Sequence, residues 1–343
     1  MLYSGVTLGI FKFIVRRVLF GLLTLFVVAT VVFVLTQVLR DPAKAILGKD
    51  ALSGDQVNAK RLEIGLRKCT KLADGKFGEP CHNISKVRQY LSWLGNLVLH
   101  HKAPTSFTNK LGMMEFLSDR MKNSLFLMFA TSVISIPLSI FIGAIAARRR
   151  DKTFDSVSSG VNLFLAGTPE YVLATVLLFL FATNIWHILP GTARVRPSEN
   201  PWDHPKNLIL PVVTLVLAVV PYVSRTMRAS TVEVLESDYV EMARLKGVSE
   251  RTVLWRHAIP NAIGPALQVI AINVAYLVAG VITVESAFNY TGVGLAMRDG
   301  VLGHDASMVQ FIAIFIASIY VIVNLLADVG TILVTPRLRT TFI

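Results

Sequence analysis

The chain has 343 residues, of which 53% are hydrophobic and only 16% charged, with a formal net charge of +12. A soluble domain carries about 25% charged residues, so these figures argue against a water-soluble fold and for a membrane protein. The positive balance would also suit nucleic-acid binding, but six candidate membrane spans argue against that reading, and the charge divides between anchors at span ends and a basic external domain.

Six runs come near the roughly 20 residues that a helix needs to cross a bilayer. They are Val18–Val38, Leu125–Ala147, Val161–Ala182, Leu208–Ser224, Ile263–Thr283 and Val309–Val334. The first follows Lys12, Arg16 and Arg17, but its apolar core exceeds that of a signal peptide and Arg40-Asp41-Pro42 offers no small-residue cleavage site, so it reads as a retained helix. Basic residues also follow the second run (Arg148, Arg149, Arg150, Lys152), the fourth (Arg225, Arg228) and the sixth (Arg337, Arg339). With six spans these fall on one side, which predicts that both termini are cytoplasmic.

The predicted organisation is an all-α membrane protein. Residues 1–39 form an N-terminal segment and first span, 40–121 an external domain, 122–336 a transmembrane core with a cytoplasmic segment at 233–260, and 337–343 a tail. In the external domain Asp41–Leu66 has helical character, Lys68–Pro80 reads as an exposed excursion and Val87–Leu99 as an amphipathic helix. His100 and His101 read as a polar helix end. Cys69 and Cys81 are the two cysteines. An oxidising compartment favours a disulfide between them, two unrelated thiols being the alternative.

The third run contains Gly167-Thr168-Pro169-Glu170, where a kink is expected, and prolines recur around the fourth at Pro211 and Pro221. Charged or amide side chains within spans are functional candidates because charge in hydrocarbon is costly. Asn162, Glu170, Asn273, Asn324 and Asp328 qualify as pathway or helix-packing residues, with Glu285 just past the outer end of span five. No catalytic arrangement and no metal-ligand cluster is legible.

The most telling stretch is Asp238–Pro260, DYVEMARLKGVSERTVLWRHAIP. It reads as two short polar helices joined at Gly247, with Asp238 and Glu241 spaced for a capping box and Ser249 placed to cap a second helix that stops before Pro260. The plain reading is a structured loop, and the sharper one a lever gripped by a cytosolic partner.

Glu241-Met242-Ala243, three residues, Gly247, nine residues and His257-Ala258-Ile259-Pro260 resemble the EAA motif of importer permeases of the ATP-binding-cassette class, E-A-A, three residues, G, nine residues, I-x-L-P. Met242 and His257 depart from it, and Ile259 replaces leucine. Phe13–Arg17, Asp41-Pro42, Ala45–Gly48, Gln89–Gly95, Ser237–Lys246, Arg256–Asn261, Val284–Gly294 and Asn324–Arg337 are similar to the B-type permease of dipeptide and oligopeptide importers. Thr291 stands where that family commonly has proline, about Arg67 to Cys81 resembles an insertion, and His100–Asn109 does not match.

The resemblance implies a type I importer permease in a bacterial cytoplasmic membrane, forming half of a pore with a second permease subunit. Two cytosolic ATP-binding subunits would drive it and an external solute-binding protein would feed it. Glu241, Ala243, Gly247, His257 and Pro260 would couple it to the ATPases. No cofactor is expected in this chain, because no stretch fits G-x-x-x-x-G-K-[ST], the loop that holds phosphates. ATP and Mg would belong to the partners. Nickel and other small solutes remain alternative cargoes, and an ion-coupled secondary transporter is a further alternative that the EAA segment argues against.

Overall fold

The computed structural model describes residues 2–38, 41–48, 54–71, 77–98, 104–108, 110, 112–183, 185–196 and 199–334. His100, His101 and the 337–343 tail lie outside them. The chain runs α1 (Leu2–Phe33), α2 (Pro42–Leu47), α3 (Gly54–Glu63), β1 (Arg67–Lys71), β2 (Phe77–Asn83), α4 (Lys86–Val98), α5 (Met113–Arg148), α6 (Thr153–Ala166) and α7 (Glu170–Leu178). It continues through α8 (Pro205–Leu235), α9 (Asp238–Leu245), the single turn α10 (Glu250–Thr252), α11 (Ile259–Phe288), α12 (Val293–Leu302) and α13 (Ala306–Val334).

Among the described residues, five helical stretches are long and apolar enough to cross a bilayer: Lys12–Val38, Met113–Arg148, Pro205–Leu235, Glu250–Phe288 and Ala306–Gly330. The third expected span is not one straight rod. It is the pair Thr153–Ala166 and Glu170–Thr183, bent by 103° at the break. Gly167 ends α6 by donating to the Leu163 carbonyl, and Pro169, which cannot donate, precedes the first residue of α7. The chain is thus a multi-pass membrane protein.

The residues fall into two compact units, one of Met1–Leu22, Met121–Leu295 and Ile319–Ile343, the other of Leu23–Arg120 and Ala296–Ser318. In the second unit, α4 lies against the C-terminal part of α1. Tyr90 Oη and Thr30 Oγ1 are 2.7 Å apart, and the rings of Tyr90 and Trp93 pack on Phe33 at 5.1 and 5.6 Å. Asp41 caps α2 through the Ala43 amide at 3.1 Å and reaches Arg61 Nε of α3, also at 3.1 Å. Burial opposes ionisation of Asp41, but the Arg61 hydrogen bond and charge, the Ala43 amide and Lys86 together hold its carboxyl below the ordinary value.

The stretch expected to be an exposed excursion is an antiparallel ribbon, β1 on β2, with Cys69 opposite Cys81 and a disulfide between them. The otherwise helical chain therefore carries one two-stranded element among the described residues. Buried Asp305 organises the same unit. It accepts from the Ser106 hydroxyl, from the amides of Phe107 and Thr108 at 3.3 Å, and from Met308 N in the first turn of α13 at 3.1 Å.

In the first unit α8 and α11 form the most extensive helix pair, with α6 and α7 packed on α8. Small residues let α5, α8 and the start of α11 approach closely. Ala258, just before α11, and Ala262 and Ala266 within it, four apart, join a buried cluster with Ala144 of α5 and Met227 of α8. A Cβ on Gly143 would stand 2.5 Å from the Ser224 carbonyl oxygen, so only glycine admits this α5–α8 approach.

Candidate functional site

Three sites in the first unit bear on function: a cytoplasm-predicted projection, a cleft between helices and a buried node at the far end of α11. The projection begins where α8 ends at Leu235. Ser237, not Asp238, is the residue before α9, in extended conformation with ψ 148°. Its hydroxyl donates back to the Val234 carbonyl, so no capping box forms. The offset is one residue, and Asp238 serves instead as an acidic group in the first turn, favourable to the helix dipole.

α9 ends in a Schellman arrangement. The Val248 amide donates to the Ala243 carbonyl at 3.2 Å and Gly247 N to the Arg244 carbonyl at 2.9 Å, with Gly247 at φ 76°. An L side chain in that conformation costs about 1–2 kcal/mol. The nearby Arg244–Glu250 pair at 2.9 Å is exposed and contributes about 0.2–1 kcal/mol. Backbone conformation therefore outweighs the ion pair in setting the turn.

Ser249 precedes α10 as expected, but its hydroxyl lies 2.9 Å from that of Thr252 rather than on a backbone amide. The second helix does not stop before Pro260. It widens into a π-turn over Val253–Ala258 and continues as α11, giving one rod from Glu250 to Phe288. Pro260 falls in the first turn of α11, where a missing N–H costs least, and the wider turn relieves the clash its ring would make with the preceding turn. His257 contributes its carbonyl, which accepts from Tyr239 Oη at 3.4 Å and Asn261 Nδ2 at 2.7 Å.

Only Val240 of α9 is buried. Leu245 is 76% exposed, Met242 54%, and Glu241 lies open beside them. A short polar helix that holds out large apolar side chains instead of burying them has the character of a docking element.

The cleft, of about 560 Å³, lies among α7, α8 and α11, and Glu170, Tyr222, Arg225, Asn273, Tyr276 and Gly280 contribute to its wall. Glu170 and Asn273 thus converge. Asn273 donates to its own helix at Val269 O, 2.8 Å away. Asn162 instead borders a small crevice with Gly143, Ser224 and Arg228. Asn324 donates to the Tyr320 carbonyl at 2.8 Å, and Asp328 pairs with Arg17 of α1 at 3.1 Å, so these two do not pair with each other. Arg225, read from the sequence as a topological anchor, lines the cleft. Buried Asp155 is clasped by Arg228, which donates from Nη2 at 2.6 Å. That pair gave no sequence signal beyond the acidic residue early in α6.

At the far end of α11, Glu285 lies within the last turn of the helix and is fully buried, not beyond the span. It accepts from Ser124 Oγ of α5 at 2.5 Å and from Gly294 N at 2.6 Å. Ser124 Oγ in turn accepts from Val293 N at 2.9 Å. A Cβ at Gly292 would stand 2.1 Å from Glu285 Oε1, so the carboxylate occupies the space a side chain would need. Tyr290 donates to the Asn123 carbonyl at 2.9 Å, and burial, then the Glu285 carboxylate, push its phenol far above the usual range. Thr291, the departure from proline, accepts from Val195 N at 3.1 Å through its hydroxyl.

The profile of the family described as binding-protein-dependent transport system inner membrane component matches residues 135–340, and that of the corresponding N-terminal region matches 10–128. A protein of Sinorhizobium fredii named a probable peptide ABC transporter permease is 28% identical over 95% of this chain and 99% of its own length. The nickel import system permease protein of Staphylococcus aureus is 29% identical over 95% of this chain and 93% of its own. Among solved structures, a chain of the MetNI methionine ABC transporter in inward-facing conformations aligns with a TM-score of 0.52 at 16% identity, over 65% of this chain and 98% of that one, a likeness of fold. With the two family profiles together covering residues 10–128 and 135–340, the chain belongs to the binding-protein-dependent transport system inner membrane components, as an importer permease of the ATP-binding-cassette class.

Proposed function

We propose that this chain forms half of an import pathway for dipeptides and oligopeptides, worked by alternating access and coupled to cytosolic ATPases through the segment 233–260. The observation that carries this is the α9 projection, which exposes Met242 and Leu245 beside Glu241 and turns at Gly247, as suits a helix that docks in a partner's groove. Ala243 contributes the carbonyl that closes the Schellman turn, and His257 and Pro260 shape the continuation into α11.

A second permease completes the pore, an external binding protein delivers the cargo, and ATP with Mg is bound and hydrolysed by two partner subunits. Both termini are cytoplasmic, in keeping with the basic residues Arg16, Arg17 and Arg148–Arg150 at span ends. Closure of the ATPases rocks the helices between outward- and inward-open arrangements. Peptide cargo rests on the likeness to the Sinorhizobium protein, and the likeness to the nickel permease supports nickel as a second reading.

The test is uptake of a labelled dipeptide and of nickel in parallel, by cells with and without the gene. Loss of energy-dependent dipeptide uptake alone is expected. Loss of nickel uptake alone overturns the cargo and leaves the architecture.

A further inference from the structure

The cleft among α7, α8 and α11 carries two ionisable side chains, Glu170 and Arg225, on a wall otherwise made of apolar, aromatic and amide groups. Neither has a hydrogen-bond or ion-pair partner given by the structure among the described residues, although each belongs to a helix of the membrane core. Glu170 is half-buried and Arg225 exposed on this wall, so both charges are open to a ligand that enters the cleft.

Their spacing is informative. Glu170 sits at the level of Leu215 and Gly280, since a Cβ placed on Gly280 would lie 3.8 Å from Glu170 Oε1 and 3.4 Å from Leu215 Cδ2. Arg225 is on the same helix as Leu215, ten residues further on, about 15 Å at 1.5 Å per residue. An acid and a base therefore stand towards opposite ends of one cleft, with Asn273, Tyr222 and Tyr276 on its wall. Both side chains can reach inwards, which shortens the gap. An extended chain of two to four residues spans at most about 7–14 Å, and about 560 Å³ is an ordinary volume for a site holding a small ligand. Gly280 lies beside the Glu170 carboxylate, and a Cβ there would be in ordinary van der Waals contact with it.

We infer that this cleft is a binding site for zwitterionic short peptides, with Glu170 receiving the free ammonium end and Arg225 the free carboxylate end. The inference rests on the peptide reading of the cargo and adds to it a polarity and a length. A peptide runs with its amino end at Glu170 and its carboxyl end at Arg225, and a chain of about two to four residues spans the two best.

The test uses the complete transporter in cells, with its own binding protein, and three labelled probes: trialanine, N-acetyl-trialanine and trialanine amide. The preference of the binding protein is common to every permease variant and cancels when ratios are compared. Glu170→Gln is expected to narrow the preference for trialanine over the acetylated probe by about tenfold, the worth of one charge-assisted bond, and to leave the preference over the amide unchanged. Arg225→Gln is expected to do the reverse. Glu170→Asp and Arg225→Lys, which keep the charges, are expected to retain both preferences. Unchanged ratios in both glutamine variants at normal abundance overturn the site. So does an equal fall for all three probes, which would make the pair contacts to the second permease. A wild-type transporter that imports no peptide fails the cargo reading itself, an outcome distinct from a wild type that imports peptides through variants that still discriminate.

Discussion

At one end of α11 a buried carboxylate is met by a hydroxyl from α5 and by backbone amides of the loop that follows; at the other, a helix with one buried residue stands out with its apolar side chains uncovered. The first is polar and closed, the second apolar and open, each the inverse of what burial alone would favour. A buried charge persists when hydrogen bonds satisfy it, and exposed leucine and methionine persist when something else covers them. The far end is built as a fixture of this chain; the near end is, on the proposed coupling, half of a joint.

The largest effect is expected from breaking the fixture. Glu285→Ala leaves the Ser124 hydroxyl and the Gly294 and Leu295 amides without their acceptor, at a cost of at least about 3 kcal/mol. Its abundance in membranes and its melting temperature in detergent should both fall, and Glu285→Gln, which keeps one acceptor, should fall less. Unchanged melting would erase the contrast between the two ends.

Next comes the joint. Proline locks φ near −65°, opposite to the 76° of Gly247, and removes the amide that donates to Arg244. Gly247→Pro should abolish uptake while abundance and melting stay close to wild type, because the turn supports little buried surface. Normal uptake at normal abundance would remove α9 from the coupling path.

The smallest effect sharpens the comparison with a half-exposed polar clasp. Asp41 is held below its ordinary value, so its bonds to Ala43 and Arg61 stabilise the fold fully above the unfolded carboxylate value of about 3.9. That contribution is lost as pH falls through the folded value. The protection of amides at the start of α2, taken relative to intrinsic exchange at each pH, should fall below about pH 4, and Asp41→Asn should flatten the dependence. An unaltered pH profile in the variant would assign the acid sensitivity to other groups.

The parts legible in the sequence were those written locally. Long apolar runs gave the spans, and a glycine after a polar helix announced the positive φ of Gly247. What stayed hidden depended on distant partners or on single-residue offsets. Glu285 looked like a loop acid because Ser124, which satisfies it, lies 161 residues away. The Cys69–Cys81 ribbon was obscured by its lysines and glycines, which do not alternate as a half-buried strand does. Ser237 takes the place before α9 because its hydroxyl turns back to α8, a choice that composition cannot register. Arg225 matched the rule for cytoplasmic anchors so well that its place in the cleft went unread.

The uninterrupted rod from Glu250 to Phe288 has a mechanical side. Its 39 residues measure about 58 Å at 1.5 Å each. Clamped where Glu285 sits, such a beam pivots at that point, and a tilt of about 5° sweeps its free end sideways by about 5 Å over that length, more than the width of a water molecule. The π-turn at Val253–Ala258 lies close to the free end. On the proposed coupling, leverage of this kind would turn a small angular stroke at α9 into a graded opening along the length of the cleft.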